Sequence, residues 1–579
     1  MNQVPLSKEL TQKRTPDTLR AFQFFSGAQL LTGLSLAALL GYVLVVLFGP
    51  IARGGDTYYA FSRLYIWTAA LRAGDVLSTW TPVDANGFGS PVPFFYNKTF
   101  SLVGAPISLL SGDVIIAYRV AELFFSALLF AGVYACARRL TADRTSCIVI
   151  STLSLLAPYM IDQSIFNGSM AEFSGMALVP FIAALTLDMY RARLSVVRSA
   201  IFFALLLLLA LTHVLVFAIV LGVLVPALFV LFVRAPSKAW VPLSLTVVAA
   251  ALFAALIYVP FSYWKNDFCP EQAAIYKQPI ANLLISPRDI FWRYYHSVFG
   301  WPFFALAILI PVTALRWRRI DDARVRTAFA IGCVVLAILF MMTHLSRPFW
   351  LISGPLEFIQ FPYRLLAVAV PLCLIAVAGM IDQFEPPTRR ALQFALLLCA
   401  LFVTARLFDQ YWLYNKMPAA ELRREAPPGS THGPDAGGEF LPANYRSQLA
   451  TLVLVNASPT SFLPARRPLV EANGCSHDDI APPAYFDRLV IHASCPSGGT
   501  LRVNQFSTAF LTADALDTQG RTLVPVNGNP VTVSQVSGTE PRFIDFSLPA
   551  GNWTITVRKR SYWELVELAW RAQMARLSH

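Results

Sequence analysis

The chain has 579 residues, with 46 Lys and Arg against 34 Asp and Glu for a net charge of +12; 56% of it is hydrophobic and only 14% charged. Soluble globular proteins carry about 25% charged residues, so a water-soluble enzyme of ordinary composition is excluded. Disorder, which needs few apolar residues, is excluded as well.

The apolar residues lie in runs of membrane-spanning length and predict a polytopic α-helical membrane protein of about 11 TM helices. In chain order the spans are 27–49, 113–137, 145–160, 170–190, 199–212, 214–233, 240–260, 298–315, 327–344, 363–381 and 391–408. The stretch 199–233 is too long for one upright helix and short for two, so charge decides it. The N-terminal segment carries Lys8, Lys13, Arg14 and Arg20, which keeps it cytoplasmic. Two passes turning at Thr212–His213 place the later basic connectors, from Arg138 to Arg390, on that same side. The C-terminus then lies outside. The first span is read as a retained anchor and the net positive charge as a topology signal. No soluble basic face suggests nucleic-acid binding.

The expected organisation is a cytoplasmic segment 1–26, a transmembrane domain 27–408 with outer loops 50–112 and 261–297, and an exoplasmic β-rich domain 409–579. Beyond residue 409 apolar residues alternate, as in Ile544, Phe546, Leu548 and in Trp553, Ile555, Val557. Segments 488–495, 500–508 and 521–536 look alike and are separated by turn signals, which suggests a β-sandwich. Cys475 and Cys495 are the only cysteines in this region and are expected to pair as a disulfide in an oxidising compartment; the alternative is two buried thiols. Cys136, Cys147, Cys333, Cys373 and Cys399 read as apolar filler within spans, and Cys269 as a lone loop thiol. Residues 561–579 form an amphipathic helix that rests on the membrane interface or packs on the sandwich.

Ionisable residues at membrane depth are functional candidates, and several gather on the predicted outer side. Asp56 follows the first span, and Asp56, Tyr59 and Arg63 share one face of the next helix. The carboxylate is a candidate general base; the alternative is a helix N-cap. Residues 81–98, rich in Pro, Gly and aromatic rings and ending in Lys98, read as a rigid interfacial loop with rings at headgroup level. Glu172 opens the fourth span after the loop Asp162–Ser169. His213 sits at the turn between spans five and six, His344 and Arg347 at the exit of span nine, Gln360 and Arg364 at the entry of span ten, and Arg119 inside span two. Each has a structural alternative: arginines snorkel to lipid phosphates, and Glu172 suits a helix N-terminus. Together they suit a phosphate held by Arg and a hydroxyl activated by a carboxylate.

The stretches Gly55–Tyr59, Trp80–Tyr96, Ala171–Phe173, Thr212–His213, Ile359–Arg364, Gly438–Pro442 and Leu548–Gly551 resemble the GT-C glycosyltransferase superfamily. More narrowly, they resemble bacterial membrane proteins labelled 6-pyruvoyl-tetrahydropterin synthase related. The sequence has no His-rich zinc site of the kind a pterin synthase needs.

The resemblance implies a GT-C-like fold in a bacterial inner membrane with a periplasmic C-terminal domain. It implies inverting transfer of a sugar from a polyprenyl-phosphate-linked donor to an envelope glycan or glycolipid acceptor. Asp56 would be the catalytic base. Arg63, Lys98, Arg119, Arg347 and Arg364 would hold the donor phosphate, and Tyr59, Glu172, His213, His344 and Gln360 would orient sugar or acceptor. No cofactor is required, and a divalent metal is not favoured because Thr57 stands where many relatives carry a second acidic residue. The competing reading is a non-catalytic glycan-binding protein or a lipid-carrier transporter.

Overall fold

The computed structural model describes residues 27–52, 56–95, 98–191, 195–234, 240–268, 283–287, 300–352, 359, 361–417, 467–481, 483–531 and 542–577. Gln360, Cys269, the basic N-terminal segment and the 438–442 motif lie outside them.

The helices in chain order are α1 (Gly27–Phe48), α2 (Thr57–Arg72), α3 (Thr99–Ser111), α4 (Val114–Leu140), α5 (Arg144–Leu155), α6 (Met170–Tyr190), α7 (Val196–Thr212), α8 (Val214–Arg234), α9 (Trp240–Trp264), α10 (Trp301–Leu315), α11 (Ala323–Met341), α12 (Leu366–Met380) and α13 (Pro386–Asn415). Seven helices among the described residues are long and apolar enough to cross a membrane, and an eighth span forms if α5 and Pro158–Phe166, bent by 46°, count as one. The expected eleven is not confirmed by that measure. Helices do occupy 199–212, 214–233 and 298–315, but α7, the apolar part of α8 (Val214–Ala227) and α10 are shorter than that length. The 199–233 stretch breaks where the charge argument placed the turn, because His213 adopts an extended conformation (φ −159°, ψ 102°) between α7 and α8.

Apolar on all sides, α12 buries all fifteen of its residues; such a helix belongs at the centre of a bundle. At one end of the bundle the basic connectors converge. Arg139 pairs with Asp188 at 2.6 Å, Arg390 with Asp143 at 2.6 Å and Arg389 with Asp382 at 2.8 Å. Arg191 donates to the Arg139 carbonyl.

The other end carries the β structure. The two-residue strands β1 (Ile51–Ala52) and β2 (Lys416–Met417) pair antiparallel, tying the exit of α1 to the end of α13. Two larger antiparallel sheets follow, built from β3 (Val470–Asn473), β4 (Ser476–His477), β5 (Arg488–Cys495), β6 (Gly499–Phe506), β7 (Leu511–Asp517), β8 (Thr522–Leu523), β9 (Phe543–Leu548) and β10 (Gly551–Lys559). Their strand orders are β4-β5-β10-β7-β8 and β3-β6-β9. Alternate residues of both sheets, among them Ile491, Val503, Phe546 and Ile555, share one hydrophobic cluster. Cys475 and Cys495 are joined by a disulfide with an S–S distance of 2.02 Å.

The loop 81–98 departs from the expectation that its rings lie at headgroup level. Trp80, Phe88 and Phe94 are buried in the β cluster together with Trp264 and Phe268. Trp80 Nε1 donates to Gln505 Oε1 at 3.0 Å, and the Phe506 N–H to the Phe88 carbonyl at 2.9 Å. The final helix α14 (Tyr562–Leu577) turns Leu565 and Ala569 into the same cluster, and Trp264 of α9 donates to its Leu565 carbonyl at 2.9 Å.

Candidate functional site

Asp56 precedes α2 without capping it: its side chain makes no hydrogen bond to the helix N–H groups. The N-cap alternative is therefore not what this carboxylate does. Its backbone N–H donates to the Asn167 carbonyl at 3.0 Å, and its Oδ2 accepts from the Ser169 hydroxyl. Ser169 Oγ in turn accepts from Asn167 Nδ2 at 2.8 Å. Glycine is needed between these two residues. Gly168 sits at φ +68°, and a Cβ there would lie 2.5 Å from Thr57 Oγ1, a region and a contact that L side chains avoid.

The chain reaches this turn through a break. After α5 it bends by 46°, restarts at Pro158 and runs through a π-helical turn, Asp162–Phe166. Such turns are rare and are frequent at functional sites. This one presents Asp162 and Gln163 to the same cavity as Asp56, with Gln163 Nε2 donating to Asp162 Oδ2 at 3.0 Å. Both side chains are almost fully buried, so the cavity is their remaining source of polar partners.

Glu172, in the first turn of α6, accepts from the Tyr159 hydroxyl and has Arg364 Nε 3.8 Å from its Oε2. The Arg364 guanidinium also lies over the Phe361 ring at 5.3 Å. From α2, Arg63 reaches in above the Tyr59 ring, 5.6 Å from its centroid. His213 closes one side: its Nδ1 accepts from the Val216 N–H at 3.2 Å, which leaves the other ring nitrogen to carry the proton of a neutral imidazole. The wall is a close approach of helices, since a Cβ on Gly175 would come within 3.1 Å of His213 Cβ.

The cavity measures about 250 Å³, and Asp56, Arg63, Asp162, Glu172, His213 and Arg364 all line it. Three carboxylates thus face two guanidinium groups and an imidazole, a more acidic site than charge along the chain suggested. Among the described residues no three His, Cys, Asp or Glu side chains are placed to hold a metal ion.

Five predicted site residues do not line this cavity, and one of them, Tyr59, touches it only through the Arg63 guanidinium over its ring. Arg119 donates to the Val46 and Gly49 carbonyls at 2.8 and 2.7 Å, holding the exit of α1 instead of a ligand. Lys98 lies over the Tyr562 ring at 4.7 Å, in the contact with α14; burial pushes its amine down to about 8 although the Asp75 carboxylate pulls the other way. His344 donates its backbone N–H to the Ile285 carbonyl at 2.9 Å, and Arg347 starts the short helix Arg347–Ile352 beside it. The expected five-cation phosphate group is thus not assembled: only Arg63 and Arg364 meet. Sequence reasoning missed Asp162, Gln163, Asn167 and Ser169 as site residues. The available signal was an Asp-Gln pair and an Asn-Gly-Ser turn shortly after a Pro-interrupted span.

The family described as "6-pyruvoyl-tetrahydropterin synthase related domain; membrane protein" matches residues 94–412, more than half of the chain. No curated protein matches the sequence. Solved GT-C glycosyltransferases are among its structural neighbours. Oligosaccharyltransferase AglB from Archaeoglobus fulgidus, in complex with an inhibitory peptide and a dolichol-phosphate, is 14% identical over 67% of this chain and 56% of its own, with a TM-score of 0.46. ArnT from Cupriavidus metallidurans bound to undecaprenyl phosphate is 15% identical over 73% and 69%, at 0.39. Arabinosyltransferase EmbB from Mycobacterium smegmatis is 12% identical over 96% and 66%, at 0.35. The chain spans little more than half the length of the oligosaccharyltransferase.

Proposed function

The chain belongs to the 6-pyruvoyl-tetrahydropterin synthase related family of membrane proteins, and we propose that it is an inverting glycosyltransferase that moves a sugar from a polyprenyl-phosphate donor to an envelope glycan or glycolipid. The observation that carries the reading is one cavity holding the Asp56 carboxylate, fixed by Ser169 through one oxygen, together with the guanidinium groups of Arg63 and Arg364.

In this reading the second oxygen of Asp56 takes the proton of the acceptor hydroxyl as that oxygen bonds to the anomeric carbon. The bond from the anomeric carbon to the phosphate oxygen breaks on the opposite face. The charge left on the polyprenyl phosphate is held by Arg63 and Arg364, for which planar guanidinium groups are suited. Asp162 and Gln163 supply acceptors and a donor for sugar hydroxyls, and His213 and Glu172 shape the pocket. Glu172 also pairs with Arg364 and helps hold it in place. The scheme uses no metal or other cofactor. Its setting is the bacterial inner membrane, with the site and the β sheets on the periplasmic side.

The test is mass spectrometry of envelope glycans from a deletion strain complemented with wild type, Asp56→Asn or Asp56→Ala, each checked for abundance in the membrane. A sugar missing in the deletion and restored only by wild type is expected. Restoration by both variants removes Asp56 from the mechanism. Accumulation of unused donor on the cytoplasmic side, with no sugar missing from a finished acceptor, favours lipid-carrier transport instead.

A further inference from the structure

The final helix α14 has two faces, and the fold buries only one of them. Leu565 and Ala569 enter the β cluster. On that same side Arg576 places its guanidinium over the Tyr263 ring of α9, 5.5 Å from the centroid. The opposite side carries Trp563, Trp570 and Met574, whose spacing aligns them along one helix face. Trp563 is 67% exposed and Met574 62%. Large apolar side chains gathered on one exposed face mark a contact surface.

The position of α14 says what covers that surface. Helix α9 has 25 residues, of which about 20 cross the hydrocarbon, so its last turn, with Tyr263 and Trp264, stands at the boundary between membrane and water. Along α9, Leu245, Leu252 and Leu256 are more than half exposed and share one face; such a stripe on a spanning helix meets lipid. Tyr263 continues the stripe seven residues beyond Leu256, yet it is 3% exposed and lies under Arg576 of α14. Helix α14 therefore sits on the lipid side of α9. It also lies across α9. Trp264 meets Leu565 and the adjacent Tyr263 meets Arg576, although eleven residues of α14, about 16 Å at 1.5 Å per residue, separate those two contacts. A helix that crosses a spanning helix at its last turn runs along the membrane surface.

We propose that the face of α14 formed by Trp563, Trp570 and Met574 docks on the headgroup layer of the bilayer that α9 crosses, continuing the lipid-facing surface of α9. Indole rings suit that layer, because the ring is apolar while its N–H finds water or a headgroup acceptor. The charges flanking the face, Glu567 and Arg571, pair with each other and keep the helix at the interface instead of within hydrocarbon. Helix α14 thus moors the C-terminal sheets to the membrane surface. The inference does not depend on glycosyl transfer.

The test is photocrosslinking of the full-length chain in native membranes, with the photoreactive benzoylphenylalanine in place of Trp563 or of Met574, both exposed positions. Lipid and protein adducts are separated by mass spectrometry. The same probe at Leu252, on the lipid stripe of α9, and at Leu516, exposed on the five-stranded sheet, sets the upper and lower limits. Lipid adducts at both α14 positions are expected to approach the yield at Leu252 and to exceed that at Leu516. A yield no higher than at Leu516 at either α14 position overturns the docking. Adducts to a second copy of the chain, or to another protein, in place of lipid overturn the bilayer as occupant.

Discussion

Asp56 is held by a relay of short side chains, Asn167 to Ser169 to carboxylate, and the relay rests on a glycine that nothing else can replace. A hydrogen bond to a charged group contributes about 1.5–3 kcal/mol, or roughly 10–100-fold in rate if it positions the base only for reaction. Ser169→Ala is therefore expected to lower the rate of sugar transfer by that factor with the protein still folded, measured on membranes against equal amounts of wild type. Gly168→Ala is expected to be worse and to act differently. Its Cβ would collide with Thr57 at a positive φ, which costs about 1–3 kcal/mol or more and moves the whole turn, so a drop in thermal stability should accompany the loss of rate. Asp56 and Arg63 were legible in the sequence because seven residues along a helix bring two side chains back to one face. Asp162 was not. It reaches Asp56 through a 46° bend and a π turn, and neither leaves a periodic trace.

At the scale of elements, the first outer loop and the C-terminal sheets are joined by a half-buried ion pair. Lys559 of β10 meets Asp75 at 2.5 Å, and the Tyr485 hydroxyl donates to the same carboxylate at 2.9 Å. Burial pushes the Asp75 carboxyl up, but the hydrogen bond and charge of Lys559, with Tyr485 and the Leu77 N–H, more than offset it and hold the group below its ordinary value of 3.8. A carboxylate whose folded value is lowered stabilises above its unfolded value, and that stabilisation is lost as pH falls through the folded one. Docking of the loop should thus be constant from neutral pH down to about 5 and weaken below about 4, read by tryptophan fluorescence or limited proteolysis. Lys559→Met should cost about 2–4 kcal/mol by leaving a half-buried carboxylate unpaired. It should also reverse the sign, since acid then neutralises an uncompensated charge. Adding Asp75→Asn should recover most of the loss. Neither partner could be chosen from the sequence, because 484 residues separate them and charge alone does not say which cation a carboxylate meets. The same limit explains Lys98 and Arg119, two cations at the expected depth that are taken up by a tyrosine ring and by backbone carbonyls.

For the whole molecule, the loop 81–98 is a wedge between helical bundle and sheets. Trp80 is 1% exposed, and its ring packs against Gly89, where a Cβ would come within 2.5 Å. Trp80→Ala should cost about 3–5 kcal/mol and free the β sheets from the bundle, seen as new protease cleavage in the loop while the helix content measured by circular dichroism is retained. By itself the sequence determined that the chain lives in a membrane, where its long apolar segments lie, that 199–233 is two helices and that the C-terminal region is alternating strand, because each of these is written in local runs and periods that hydrophobic burial enforces over one element. It also marked Asp56, Arg63, Glu172, His213 and Arg364. The tertiary structure alone decided which of the polar residues share a cavity, that the aromatic loop is core and not membrane surface, and that a third carboxylate, Asp162, joins Asp56 and Glu172 there while three of the five expected cations do not. Those outcomes depend on contacts between residues a hundred or more positions apart. Packing, not pattern, selects among the many partners of equal charge and hydrophobicity that a chain of this composition offers.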